Sequence, residues 1–115
     1  MDLELRTQGD VKIVKLRGRL SLGDPVDQLR ATIEDLIAAG DHSVIVDLSE
    51  VSMVDSSGIG LLVKGLTSLK QRGGSFKLLS PSKFTMQSLK LVGLLNLFQI
   101  YEDLPTAVAS FQSGP

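Results

Sequence analysis

The sequence predicts an α/β fold of order ββαβαβαβα, with four helices on a mixed, mostly parallel sheet of about five strands. Three observations carry this. Apolar runs of strand length alternate with segments of helical periodicity along the chain. The first two strands are separated only by a Gly9-Asp10 turn, so they pair as a hairpin and make the sheet mixed. Each later strand is followed by a helix before the next strand, the connection that parallel neighbours need. At 115 residues, 43% of them apolar, the chain suits one compact domain over residues 1–115.

Each element follows from its own residues. Leu3 and Leu5 alternate with polar neighbours in the first strand, and Val14, Leu16, Gly18 and Leu20 share one face of a second strand over residues 11–20. Asp24-Pro25 caps and starts a helix in which Val26, Leu29, Ile33, Leu36 and Ile37 recur at helical spacing, with Gly40 as its stop. Residues 43–48, Ser-Val-Ile-Val-Asp-Leu, are too short for a helix and too continuously apolar for a surface strand, so they form a central strand covered on both faces. A helix over residues 57–72 ends at Gly73-Gly74. A strand over 75–80, a helix opened by Pro81 and Ser82 and running to Val92, and a strand over 97–101 follow. Asp103 caps a last helix with Leu104, Ala107, Val108 and Phe111 inward, and Ser113-Gly-Pro115 reads as a frayed end.

The candidate site is the junction Val-Asp-Ser-Ser-Gly-Ile-Gly at residues 54–60, between the central strand and the following helix. Two adjacent hydroxyls beside a carboxylate, at a helix N-terminus, put an exposed serine next to free N–H groups and the positive end of the helix dipole. A phosphate would be stabilised there. The plainer reading is a capping arrangement with Asp55 or Ser56 as N-cap and no chemistry. On the helix that follows, residues placed at 100° intervals put Ile59, Leu62, Val63, Leu66 and Leu69 on one stripe facing the sheet. Leu61 falls off that stripe beside Gly65, Ser68 and Arg72, which predicts an exposed leucine, a shallow spot at Gly65 where another backbone can approach, and a docking face. The plainer alternative is one stray surface leucine and one tolerated glycine.

Composition removes several function classes. A net charge of −1, from twelve basic and thirteen acidic residues, gives no electrostatic footprint for nucleic acid or an acidic membrane surface. There is no cysteine, so disulfides, thiolate metal sites and cysteine nucleophiles are excluded. The single histidine, His42, reads as a solvated loop residue, and no metal site is expected. With no leader-like start and no apolar stretch near ~20 residues, a soluble cytoplasmic protein is expected. The residues flanking Ser56 and Ser57 do not make a nucleophile elbow, and His42 sits at the far end of the preceding strand from them. Gly58-x-Gly60 lacks the third glycine of a dinucleotide fingerprint, and Lys64 is not placed as in a phosphate-binding loop. Asp24, Asp47 and Asp55 would form a receiver-type cation site only if the fold gathered them at one sheet end, and Asp47 lies inside a strand.

The element order, Leu-Arg-Gly-Arg-Leu at 16–20, Val-Ile-Val-Asp-Leu-Ser at 44–49, Asp-Ser-Ser-Gly-Ile-Gly at 55–60, Gly73-Gly74 and Val92-Gly-Leu94 together resemble the STAS family, specifically the bacterial anti-sigma-factor antagonists. The resemblance covers nearly the whole chain. It implies a single STAS-like domain, a non-enzymatic regulator without cofactor, and a switch in transcription that touches no DNA. In that family the serine directly after the motif aspartate is phosphorylated by an anti-sigma factor that is itself a serine kinase, and a phosphatase reverses it. By resemblance Ser56 is the phosphoacceptor. Around it, Ser21, Asp24, Asp55, Ser57, Gly58 and Leu61 are expected to contact the partner, and Ser57 to be engaged in capping. The chain departs from the pattern at Ser21, where members often carry an acidic residue after the Gly-x-Leu of strand two; the next carboxylate along is Asp24. Two other classes stay open on the residues: a STAS adaptor of a transporter or signalling assembly without a phosphoswitch, and a binder of small anions at the helix N-terminus.

Overall fold

The computed structural model describes residues 2–111. Its elements follow the expected order: β1 (Asp2–Gln8), β2 (Val11–Leu20), α1 (Asp24–Ala38), β3 (Ser43–Val54), α2 (Ser56–Gln71), β4 (Ser75–Leu79), α3 (Lys83–Leu91), a single 3₁₀ turn (Leu95–Leu97), β5 (Gln99–Tyr101) and α4 (Leu104–Ala109). The strands lie side by side in chain order, β1-β2-β3-β4-β5, so β3 is central. The first pair is antiparallel and the rest are parallel. The expectation for residues 113–115 lies outside the described residues.

This order decides where the helices go. Three successive right-handed crossovers that all step in one direction across the sheet place α1, α2 and α3 on the same face. The cores agree. Val14, Leu16, Leu20, Val44, Val46, Leu48, Phe76 and Leu78 point toward those helices, while Val11, Ile13, Ile45 and Leu79 point the other way and are covered by Ala107 and Val108 of α4. The alternation is the period of two that strands impose. Beyond α4 the second face is polar: Arg17 bonds both Glu4 and Glu50, and Lys15 bonds Glu50. Lys77, buried on β4 beneath α4, donates to the Ser110 hydroxyl at 2.7 Å and stacks 4.2 Å from the Phe111 ring centroid.

Several boundaries differ from expectation for identifiable reasons. Strand β3 continues six residues past Leu48, because Val51 and Val54 keep facing the core while Ser49, Glu50 and Ser52 face solvent. The N-cap of α1 is Gly23, at φ 108°, and Asp24 is already inside the first turn with Pro25, so Asp24 does not cap. Gly40, at φ 86°, does terminate that helix, with the Asp41 N–H returning to the Leu36 carbonyl. The last strand is shorter than expected because Leu95–Leu97 wind into a 3₁₀ turn.

Candidate functional site

The Asp55-Ser56 corner stands where β3 leaves the sheet and α2 begins. Asp55 is the N-cap of α2: it is extended, at φ −83° and ψ −178°, and its Oδ1 accepts the Gly58 N–H at 2.9 Å. Its other oxygen, Oδ2, accepts the Leu22 N–H at 2.9 Å from the loop between β2 and α1. The backbone of Asp55 joins in, its N–H donating to the Leu20 carbonyl and its carbonyl receiving the Ile59 N–H. The Gly58 N–H and then the Leu22 N–H hold the Asp55 carboxyl below the ordinary carboxylate range, against a smaller opposing effect of burial.

Ser56 is the first residue of α2 and is exposed; Ser57 is half-buried. The capping role expected of Ser57 belongs to Asp55, whose carboxylate reaches the first-turn amides more directly than a short hydroxyl. Gly58 is a close-approach position: a Cβ there would lie 2.7 Å from the Leu20 carbonyl oxygen and 2.7 Å from Cγ1 of Val54. The absent side chain lets the first turn of α2 rest directly on the end of β2.

Of the other expected contact residues, Ser21 and Asp24 belong to the same end of the sheet. Ser21 sits directly before Leu22 with its carbonyl accepting from Val26, and Asp24 is exposed at the start of α1. Leu61 does not join them. It is 5% exposed, and the docking face drawn through it is overturned. Helix α2 packs against α1 as well as the sheet, so its apolar arc is wider than one stripe and takes in Leu61 and Gly65. A Cβ on Gly65 would meet Cε1 of Phe76 at 2.8 Å and Cδ1 of Ile33 at 3.4 Å, so what approaches this glycine is side chains of β4 and α1 and not a foreign backbone. Val63, expected inward, is half-buried.

The exposed apolar residues near the corner are others. Leu22 is 76% exposed, and Phe84 at the start of α3 is 61% exposed and lines, with Arg19, Ser52 and Met53, a shallow depression of about 270 Å³. Sequence periodicity passes over Leu22 because it lies in a connection; the available signal was a large apolar residue between Ser21 and Gly23 that neither a strand nor a helix pattern explains.

Acid–cation chemistry finds no support in the geometry. Asp47 and Asp55 are separated by eight residues of extended chain, roughly 25 Å, and among the described residues no three carboxylates or imidazoles gather to hold a metal. Asp47 accepts the Ser49 N–H on its own strand.

A family model for the STAS domain matches residues 2–107. The chain belongs to the STAS domain family. An anti-sigma-B factor antagonist of Staphylococcus epidermidis is 30% identical over 102 residues, covering 89% of this chain and 94% of that one. Among solved structures, the anti-sigma factor antagonist SpoIIAA in its unphosphorylated form superposes with a TM-score of 0.84 at 25% identity, covering 96% of each chain. The phosphorylated form of SpoIIAA, a Bacillus cell fate determinant, superposes with a TM-score of 0.77, covering 96% of this chain and 99% of that one. The relatives named here are thus anti-sigma factor antagonists. None of the described helices is long and apolar enough to cross a membrane.

Proposed function

We propose that this STAS domain is a phosphorylation-gated antagonist of an anti-sigma factor, with Ser56 as the phosphoacceptor. The observation that carries the reading is the pairing of an exposed Ser56 hydroxyl with an ionised Asp55 whose two oxygens are held by the Leu22 and Gly58 N–H groups. A hydroxyl at this position rests against a partner at little cost. A phosphoserine adds about −1.5 to −2 charges beside a carboxylate that cannot move away, and a partner surface fitted to the neutral serine must then desolvate both. Release follows. The fold tolerates the change because Ser56 faces solvent at a helix N-terminus, whose dipole favours negative charge.

In this reading the partner is an anti-sigma factor that is also a serine kinase; a serine phosphatase acting on Ser56 resets the switch, and the unphosphorylated form frees the sigma factor. No step involves nucleic acid or membrane. Ser21, Leu22, Asp24, Asp55 and Ser57 form the contact surface, with Gly58 setting the approach of α2.

The test is mass spectrometry of wild type, Ser56→Ala and Ser57→Ala after incubation with ATP and the cognate kinase, followed by calorimetric binding. Phosphate is expected on wild type and Ser57→Ala and not on Ser56→Ala, and Ser56→Ala is expected to bind constitutively. A label that stays in Ser56→Ala, or equal partner affinity for phosphorylated and unphosphorylated protein, rejects the mechanism.

A further inference from the structure

Strand β1 forms one edge of the sheet, with β2 as its only strand neighbour among the described residues. The opposite edge, β5, is three residues long, whereas β1 runs for seven in unbroken register with β2. Long edges are templates for pairing with another chain, and proteins commonly blunt them with a proline, a lysine or a bulge. Strand β1 has none of these.

The hairpin decides which groups face out. Gln8 and Val11 flank the two-residue turn Gly9-Asp10 and so form a hydrogen-bonded pair. Alternation along the ladder then turns the N–H and C=O groups of Arg6, Glu4 and Asp2 toward β2, and those of Thr7, Leu5 and Leu3 outward. Among the described residues, no loop or cap bonds these outward groups. The side chains alternate as well. Leu5 lies on the helix side, opposite Val14, and is 49% exposed. Glu4 and Arg6 lie on the other face, where Glu4 also accepts from Arg17.

Charge selects the partner and the register. An antiparallel copy of β1 reaches the outward groups only where Leu3, Leu5 and Thr7 oppose one another. With a two-fold axis at Leu5, Leu5 meets the partner's Leu5, Leu3 meets the partner's Thr7, and Glu4 meets the partner's Arg6 on both sides of the axis. An axis at Glu4 would oppose two glutamates, and one at Arg6 two arginines; like charges directly opposite destabilise a pair. An axis at Leu3 or Thr7 leaves less of the strand paired. One register therefore combines the longest ladder with opposite charges throughout.

We propose that β1 pairs with β1 of a second copy of this chain, antiparallel about a two-fold axis at Leu5, joining two five-stranded sheets into one. Main-chain hydrogen bonds of Leu3, Leu5 and Thr7 carry the association, the two Leu5 side chains cover each other, and the Glu4–Arg6 pairs fix the register. The axis lies level with Val14 on β2 and Val46 on β3, away from the Asp55 corner, so the pairing does not rest on the phosphorylation of Ser56.

The test is sedimentation velocity and amide exchange of the purified protein from about 10 µM to about 1 mM, a range suited to a small interface. Wild type is expected to pass from monomer to dimer, with exchange at Leu3, Leu5 and Thr7 slowing as concentration rises. Glu4→Arg alone and Arg6→Glu alone each place like charges across the axis and are expected to self-associate at least tenfold more weakly. An equimolar mixture of the two variants restores opposite charges at both positions and is expected to dimerise about as well as wild type, a rescue that a folding defect would not show. A monomer at every concentration overturns the proposal. So does slowed exchange confined to another part of the molecule, undiminished association of either single variant, or a mixture that associates no better than its components.

Discussion

The Leu22 N–H donates to Oδ2 of Asp55 at 2.9 Å across 33 residues of sequence, joining the loop after β2 to the first turn of α2. One carboxylate thereby caps a helix and pins a neighbouring loop, so the exposed Leu22 side chain and the Ser56 hydroxyl are held in a common frame.

Removing this clamp costs stability. Asp55→Ala is expected to lose about 1 kcal/mol as an N-cap, read as a lower urea midpoint with an unchanged m-value. A loss near zero would show that the clamp contributes nothing to the fold.

The same carboxylate predicts an acid dependence. Its folded-state pKa lies below the ordinary value, chiefly through the Gly58 N–H and then the Leu22 N–H, so its contribution is fully present above the unfolded pKa of about 3.9 and is lost as pH falls through the folded value. Asp55→Asn should lose less stability than wild type between pH 5 and pH 2, roughly the window in which such a carboxylate protonates. Some acid sensitivity remains, because Glu4, Glu50 and Asp103 are also held low. Parallel pH profiles for the two proteins would remove Asp55 from this account.

Gly58→Ala places a methyl group 2.7 Å from the Leu20 carbonyl, a backbone atom that cannot rotate aside. A destabilisation of roughly 1–3 kcal/mol is expected despite the better helix propensity of alanine. If thermal unfolding shows this variant as stable as wild type, the close contact of α2 with β2 is wrong.

Leu61 and Leu62 should behave alike. Both are buried, so Leu61→Ala and Leu62→Ala are each expected to cost about 2–5 kcal/mol by denaturant titration. A loss below ~0.5 kcal/mol at Leu61 alone would return it to the surface and restore the docking face.

Leu22→Ser removes a side chain that is 76% exposed. Stability should stay within about 0.5 kcal/mol, while affinity for the anti-sigma partner falls at least tenfold, about 1.4 kcal/mol. Unchanged affinity would separate this loop from the contact surface.

The order of elements, the central place of β3 and the corner at Asp55 and Ser56 are legible because they rest on local signals: apolar period, glycine stops and a cap residue. What was not legible depends on neighbours. Leu61 looks exposed when α2 is given one packing partner and is buried once α1 supplies a second. The central strand reads as ending at Leu48 because Ser49, Glu50 and Ser52 interrupt the apolar run, yet pairing with β2 keeps the chain extended to Val54. Asp24 looks like a cap by residue type, but Gly23 takes the positive φ that the turn requires and moves the helix start forward by one.

Strand β3 outruns its neighbour on one side. Its pairing with β4 ends at Asp47, whereas its pairing with β2 continues to Val54, through two irregularities in register. Beyond Asp47 the central strand becomes a jetty moored along a single edge, with Ser56 at its head. Half the ladder bonds are missing there, so local opening is cheaper than at the strand's midpoint. Amide exchange in residues 49–54 should therefore run ahead of residues 44–47, so the end of β3 that leads into Ser56 can open while the middle of the sheet stays shut.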